Sequence, residues 1–282
     1  MKKATTTTTL LSALALVLGA CAPAETGSRF AAGVTVRSID EIVAQAPQVS
    51  NFASDGSASL PIRTSVPVAC TIVYGTTPQF GAVSFDQDMS GGVHHDHNPL
   101  LSGLEPETTY YFRLQGIDAS GVIYLSDTMT FTTPPRVVAE VNNLASAALG
   151  AEIIGFSSAY GNAAPDATWG VASAFDDNPN TAWSSAGDGD NAWVEVKLAR
   201  PALVTAVSFH SRSMADGSAT TRAFSVTTES GQVYGPFEVP DTRAPHEFAT
   251  AFEAETLRFA LLETTGGNTG AIDIAVHGEF LE

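Results

Sequence analysis

The sequence predicts an all-β protein built as two antiparallel β-sandwiches in series. Three observations carry this reading. Short runs alternate apolar and polar residues with a period of two. Glycine and proline punctuate those runs, as at Gly75, Pro78, Gly81, Gly91-Gly92, Gly103 and Gly121. No long amphipathic helix interrupts either half of the chain.

The N-terminus reads differently. Met1-Lys2-Lys3 is a short basic start, and Leu10 to Leu18 is an apolar run too short to span a bilayer. A basic start, a short apolar middle and small residues at the end mark a cleavable signal peptide over residues 1–20. Leu18-Gly19-Ala20-Cys21 resembles the bacterial lipobox, which implies that Cys21 is lipidated and becomes the first mature residue. Ala22 is not the aspartate that retains lipoproteins in the inner membrane, which favours the outer membrane in a Gram-negative cell. Residues 21–46 then read as a lipidated tether, small and polar from Pro23 to Arg29.

Charge narrows the partners. The chain has 30 acidic residues against 13 Lys and Arg, and two of those 13, Lys2 and Lys3, precede Cys21, so the mature charge is −19. Such a surface repels nucleic acid and anionic lipid, which leaves the anchor as the membrane contact. Once Cys21 is lipidated, Cys70 is alone. No intramolecular disulfide is then available, and core burial must hold the fold. Cys70 lies in the apolar run Val66 to Tyr74 and reads as a buried structural thiol.

In the first sandwich, Tyr110, Phe112 and Leu114 share one strand face, and Tyr111 and Arg113 the other. The segment Leu101-Ser102-Gly103-Leu104-Glu105-Pro106-Glu107-Thr108-Thr109-Tyr110 fits a pattern of the fibronectin type III family. Residues 47–134 resemble that family, although its early-strand Trp is missing, with Ile62-Arg63-Thr64 in its place. The resemblance implies that the Tyr110 hydroxyl bonds to upstream backbone. Residues 135–149, with Pro135 and an Ala-rich stretch, read as a linker holding a helical turn or extended chain.

From residue 150 to 282 the strand pattern resumes. Val194, Val196 and Leu198 alternate with Trp193, Glu195 and Lys197, and later runs include Leu257 to Leu261 and Ile272 to Val276. Three ordered segments, Ala174 to Ser185, Ala192 to Leu198 and Gly266 to Gly278, parallel the discoidin, or coagulation-factor type C, family. This galactose-binding-like family implies a jelly-roll sandwich with ligand loops at one end.

The resemblance implies a structural Ca²⁺ held by Asp176, Asn178, Thr181 and, from the last strand, Asp273; oxygen ligands in a tight loop suit that ion. Asp177 replaces a family glycine and Asn178 an aspartate, which lowers the expected affinity. The competing account is a loop held by Asx-turn hydrogen bonds alone. For the ligand face, the candidates are Trp169, His210, Arg212 and Asn268. There an aromatic ring stacks on a sugar, and Arg, His or Asn fix its hydroxyls. Each also has an ordinary structural alternative, such as core packing for Trp169 or an ion pair for Arg212.

A third cluster is His94-His95-Asp96-His97. On a regular strand His95 and His97 share a face, as do His94 and Asp96, and two histidines can begin a zinc site. No second ligand pair is visible nearby in the sequence. The motifs G-x-S-x-G, H-E-x-x-H and the P-loop are absent from the chain, so no enzyme is expected. The expected function is a surface-anchored module that binds a glycan or envelope polysaccharide through residues 150–282. The alternative is a structural or adhesive lipoprotein that binds another envelope protein.

Overall fold

The structure is a computed structural model and describes residues 33–87, 92–135, 143–214 and 216–282. The signal peptide and Cys21 lie outside the described residues. Nine strands build the first sandwich: β1 (Val36–Ser38), β2 (Ala58–Ser59), β3 (Ile62–Gly75), β4 (Ala82–Phe85), β5 (His94–His97), β6 (Leu100–Leu101), β7 (Thr109–Asp118), β8 (Ile123–Leu125) and β9 (Met129–Thr132). Its main sheet runs β1-β8-β7-β3-β4, with β5 on β3 and β9 on β7, while β2 and β6 pair separately. All pairs are antiparallel except β1 with β8.

Alternation decides the faces as expected. Tyr110, Phe112 and Leu114 are buried beside Ile72, Leu60 and Leu101, while Tyr111 and Arg113 are only partly buried. The Tyr110 hydroxyl accepts a hydrogen bond from Glu105 N–H at 2.9 Å. Cys70 is a free, buried thiol, pushed up to about 12 by burial first and by the charge of Asp86 second. It packs as an apolar side chain and is not a reactive nucleophile.

The segment expected as a tether through residue 46 differs. Val36–Ser38 pairs parallel with β8, and a short 3₁₀ turn, Ile39–Glu41, follows under a Ser38 cap. Ile39 and Ile42 enter the first core. Burying two isoleucines, at roughly 1.5–3 kcal/mol each, adds to the β8 pairing in ordering this segment. The histidine cluster differs as well. Its faces do not alternate: His97 is buried, His94 partly so, and His95 and Asp96 are exposed. A register jump causes this, because β5 pairs Asp96 with Arg63 but His94 with Val68.

Seven strands build the second sandwich: β10 (Glu152–Phe156), β11 (Trp183–Ser184), β12 (Trp193–Ser211), β13 (Thr221–Thr228), β14 (Val233–Glu238), β15 (His246–Thr264) and β16 (Gly270–Phe280). Their order is β11-β16-β12-β15-β13-β14, with β10 on β12. Val194, Val196 and Leu198 point inward, and a bulge between Val204 and Ala206 then keeps Val207 and Phe209 on the core side. Phe209 stacks on Phe224 at 4.7 Å between centroids. Trp183 is fully buried, and its Nε1 donates to Ser158 O at 3.0 Å. Gly270 is required where β16 meets β11, since a Cβ there would sit 2.1 Å from Trp183 O.

The two sandwiches have separate hydrophobic cores within one compact unit spanning Thr35–Glu282. Polar side chains bridge them. Asn178 Nδ2 donates to Asp55 Oδ2 at 2.9 Å, and Asn180 Nδ2 donates to Asn51 O at 2.8 Å. The second core also begins inside the stretch expected as a linker. Leu144 and Ala145 are buried in it, and Ala147–Leu149 is the 3₁₀ turn that ends on left-handed Gly150.

Asn143 ties this entry to the last strand. Its Nδ2 donates to Ile274 O at 2.9 Å, and its Oδ1 accepts from Val276 N at 2.9 Å and Ala145 N at 3.0 Å. Asn143→Ala would strand those buried groups at a cost of about 3 kcal/mol. Calorimetry should show the melting temperature falling by roughly 6–12 °C. An unchanged value would mean that Asn143 does not anchor the segment.

Candidate functional site

Four loops converge at the end of the second sandwich where β11, β12 and β16 terminate. Backbone bonds hold them together: Ser184 N to Trp169 O at 3.3 Å, Ser185 N to Thr269 O at 2.7 Å, and Gly189 N to Gly267 O at 3.2 Å. Gly266 and Gly267 both take positive φ, 78° and 77°, and so turn the chain tightly before Asn268.

Arg212 leaves the end of β12 into this junction and is 4% exposed. Its Nη1 donates to Ser184 Oγ at 2.7 Å and to Asn268 O, and its Nη2 contacts Met214 Sδ. The guanidinium lies over the Trp169 ring, 5.5 Å from its centroid. Burial lowers the Arg212 pKa to about 10, so the group stays cationic at neutral pH. Trp169 is itself half-buried. The arrangement sets an aromatic ring beside a fixed, buried cation.

Three of the four candidate ligand residues therefore meet: Trp169, Arg212 and Asn268. His210 does not join them. Its Nε2 donates to Thr242 O at 3.1 Å, and burial lowers its pKa there. His210 lies on the strand face opposite Phe209, whereas Arg212 lies beyond the end of β12 at Ser211, after a register shift between His210 and Ser211, so strand parity no longer holds the two together. Ser184 and Met214 were not singled out from sequence. Ser184 lies in the same motif as Trp183, but only the fold brings it to Arg212.

A carboxylate corner lies where the loop Asp176–Thr181 meets β16. Asp176 accepts from Asn178 N at 3.0 Å and from Thr181 Oγ1 at 2.8 Å. Asp177 has a positive φ of 53°, a glycine-like conformation at the position where the resembling family has glycine. Asp273 is pushed up to about 7, by burial first and then by the charges of Asp177 and Asp176. One of its oxygens, Oδ1, is buried without a hydrogen-bond partner. Asp176 is raised to about 6 by burial, and the nearby Asp55 and Asp177 charges add to this against the Thr181 and Asn178 hydrogen bonds. Asp176 keeps an exposed face, so water screens it more than Asp273.

Crowded carboxylates and an orphan oxygen fit a cation with oxygen ligands. Asp176, Thr181 and Asp273 face this corner. Asn178 is committed elsewhere: Oδ1 accepts from Asn180 N, and Nδ2 reaches Asp55 and Ser57 of the first sandwich. The Asx turns of the competing account are thus present as well, and both features occupy one loop.

Residues 157–274 match the family model of the F5/8 type C domain. Solved structures similar to the chain include an F5/8 type C domain from Bacteroides fragilis, at 20% identity over 46% of this chain and 93% of that one, with a TM-score of 0.38. A family 32 CBM from Clostridium perfringens in complex with galactose is 15% identical over 45% and 92%, TM-score 0.38. A Streptococcus pneumoniae fucose binding module is 18% identical over 51% and 100%, TM-score 0.38. No curated protein matches the chain.

The raised carboxylates make stability depend on pH. Asp273 holds its proton longer folded than unfolded. Its contribution is fully present below the ordinary carboxylate range near 4 and is lost as pH rises toward about 7. His210, with a lowered pKa, acts in the opposite direction, so the useful comparison is with a variant. In EDTA, wild type should lose more melting temperature between pH 5 and pH 8 than Asp273→Asn. Parallel pH profiles would show that the corner is not strained by charge.

Proposed function

We propose that the protein is a surface-anchored carbohydrate-binding module, with its glycan site at Trp169, Arg212 and Asn268. The observation that carries this is the half-buried Trp169 ring held over the buried Arg212 guanidinium, inside the F5/8 type C region. Sugar rings present C–H faces that stack on such a ring, while their hydroxyls seek charged and amide groups. Similar solved modules include ones with bound galactose or with fucose-binding activity, which suits a neutral glycan as partner. No catalytic role is assigned. The lipid anchor at Cys21 would hold the module on the outer face of the cell envelope, with the first sandwich as its spacer.

A protein partner is the second reading. β4 is an edge strand, and its Val83 and Phe85 side chains are 51% and 68% exposed. Exposed apolar residues on an edge suit docking of another chain. A glycan array with the soluble mature chain separates the two. The expected outcome is selective binding, weakened about tenfold or more in Trp169→Ala, a loss of about 1.4 kcal/mol. Absence of any glycan response would favour the protein partner.

We also propose that the carboxylate corner takes Ca²⁺ through Asp176, Thr181 and Asp273, in a structural role. A cation there would relieve repulsion among the three aspartates and tie the loop to β16. Expected affinity is weak, on the order of 10⁻⁴ M, because Asn178 adds no charge. Millimolar calcium at pH 8 should raise the melting temperature by several degrees, and Asp273→Asn should abolish that rise. Equal melts with calcium and with EDTA would leave the Asx-turn account standing.

A further inference from the structure

We propose that Asp86, His94 and His97 of the first sandwich form a binding site for one Zn²⁺ ion. The site is remote in sequence from the F5/8 type C region and independent of the glycan reading. It begins with the register jump between β5 and β3. On a regular strand, residues three apart face opposite sides. Here β3 spends Thr64 to Pro67 opposite the single residue His95, and the resulting twist brings His94 and His97 to one side. Their ring centroids lie 4.5 Å apart.

The third group comes from the end of β4. Asp86 bridges to Pro99 across the sheet edge, which brings its carboxylate beneath both rings. His94 Nε2 lies 2.8 Å and His97 Nδ1 2.7 Å from the same oxygen, Asp86 Oδ2. The three donor atoms all lie within 4.8 Å of one another. In a tetrahedral zinc site with bonds near 2.0–2.1 Å, neighbouring ligand atoms are about 3.3 Å apart. Opening the two carboxylate–imidazole distances by roughly half an ångström brings them to that spacing.

The supporting contacts orient these groups. Asn98 N–H donates to Asp86 Oδ1 at 2.9 Å and turns Oδ2 toward the rings. The second ring nitrogen of His97, Nε2, faces Thr64 Oγ1 at 3.4 Å. Outer partners of this kind set the tautomer of a ligating histidine. Side-chain exposure grades from 0% at His97 through 10% at Asp86 to 23% at His94, so the triad is closed on one side and open on the other.

The donor set disfavours hard, oxygen-seeking cations. Two imidazoles and one carboxylate suit zinc, whereas Ca²⁺ and Mg²⁺ take oxygen shells. Without metal, each ring directs an N–H at Asp86 Oδ2. Binding replaces those hydrogens with the ion, so each ring shifts tautomer or releases a proton, and affinity falls as pH is lowered.

The test is equilibrium dialysis of the metal-free mature chain against zinc at pH 7.5, with cobalt(II) as a visible probe. The expected result is one zinc per chain, undisturbed by millimolar calcium, and tetrahedral cobalt d–d bands. His94→Gln changes the most exposed ligand, and Asp86→Asn keeps a hydrogen-bond acceptor for the rings. Each should weaken zinc by more than about tenfold and abolish the cobalt bands, with the EDTA melt of His94→Gln close to wild type. Sub-stoichiometric zinc in wild type overturns the proposal. So does zinc that both variants retain, which would place the ion elsewhere.

Discussion

The loop Asp176–Thr181 must satisfy several partners with six residues, and much of the molecule depends on how it does so. Its backbone is folded by its own side chains: Asp176 receives the Asn178 N–H, and Asn178 receives the Asn180 N–H. That leaves the amide nitrogens of Asn178 and Asn180 free to reach Asp55, Ser57 and Asn51 on the first sandwich. The opposite side of the loop presents Asp176 and Asp177 to Asp273 on the last strand. A single turn thus couples the two sandwiches and gathers like charges at the edge of the second core. Repulsion among those charges is the cost of the arrangement, and Asp273, holding its proton up to about pH 7, offsets part of it.

Arg212 sets a second constraint. A guanidinium this buried is costly unless hydrogen bonds and a polarisable surface replace water. Ser184 of β11, the Asn268 carbonyl and the Trp169 ring supply these, and each comes from a different segment of the chain. The cation therefore organises the loop end of the sandwich. Removing it would disturb the whole junction, which makes Trp169 the more discriminating probe of binding. In a chain with a formal charge of −17, this enclosed positive group is also an electrostatic exception, suited to orienting hydroxyl or amide oxygens.

The fold achieves this with no staple among the described residues. Cys70 is a buried thiol, and the cores rest on apolar faces from long strands. The long β12 and β15 strands carry bulges that let one chain segment serve the core along its whole length. Asn143 closes the second core by acting as a surrogate strand edge for β16. These devices are local, polar and directional, and they complement burial that is none of those things.

Sequence alone determined the all-β class, the faces of strands such as Tyr110–Leu114 and Val194–Leu198, and the isolated buried state of Cys70. These follow from period-two alternation and composition, which any chain must obey locally. Motif resemblance also pointed to Trp169, His210, Arg212 and Asn268 as ligand candidates, of which the fold brings Trp169, Arg212 and Asn268 together, and to Asp176, Asn178, Thr181 and Asp273 as a cation site, from which Asn178 turns away. Tertiary structure decided what periodicity cannot encode. Ile39 and Ile42 belong to the first core because β8 offers a free edge. Leu144 belongs to the second because Asn143 finds unpaired groups on β16. His210 turns toward Thr242 while Arg212, past the register shift that ends β12, turns toward Ser184, and Asn178 turns toward Asp55, a residue more than a hundred positions away. His94 and His97 meet over Asp86 because of a register jump between two strands. Such pairings depend on where strands bulge and which edges remain unpaired, and those are properties of the assembled sheets.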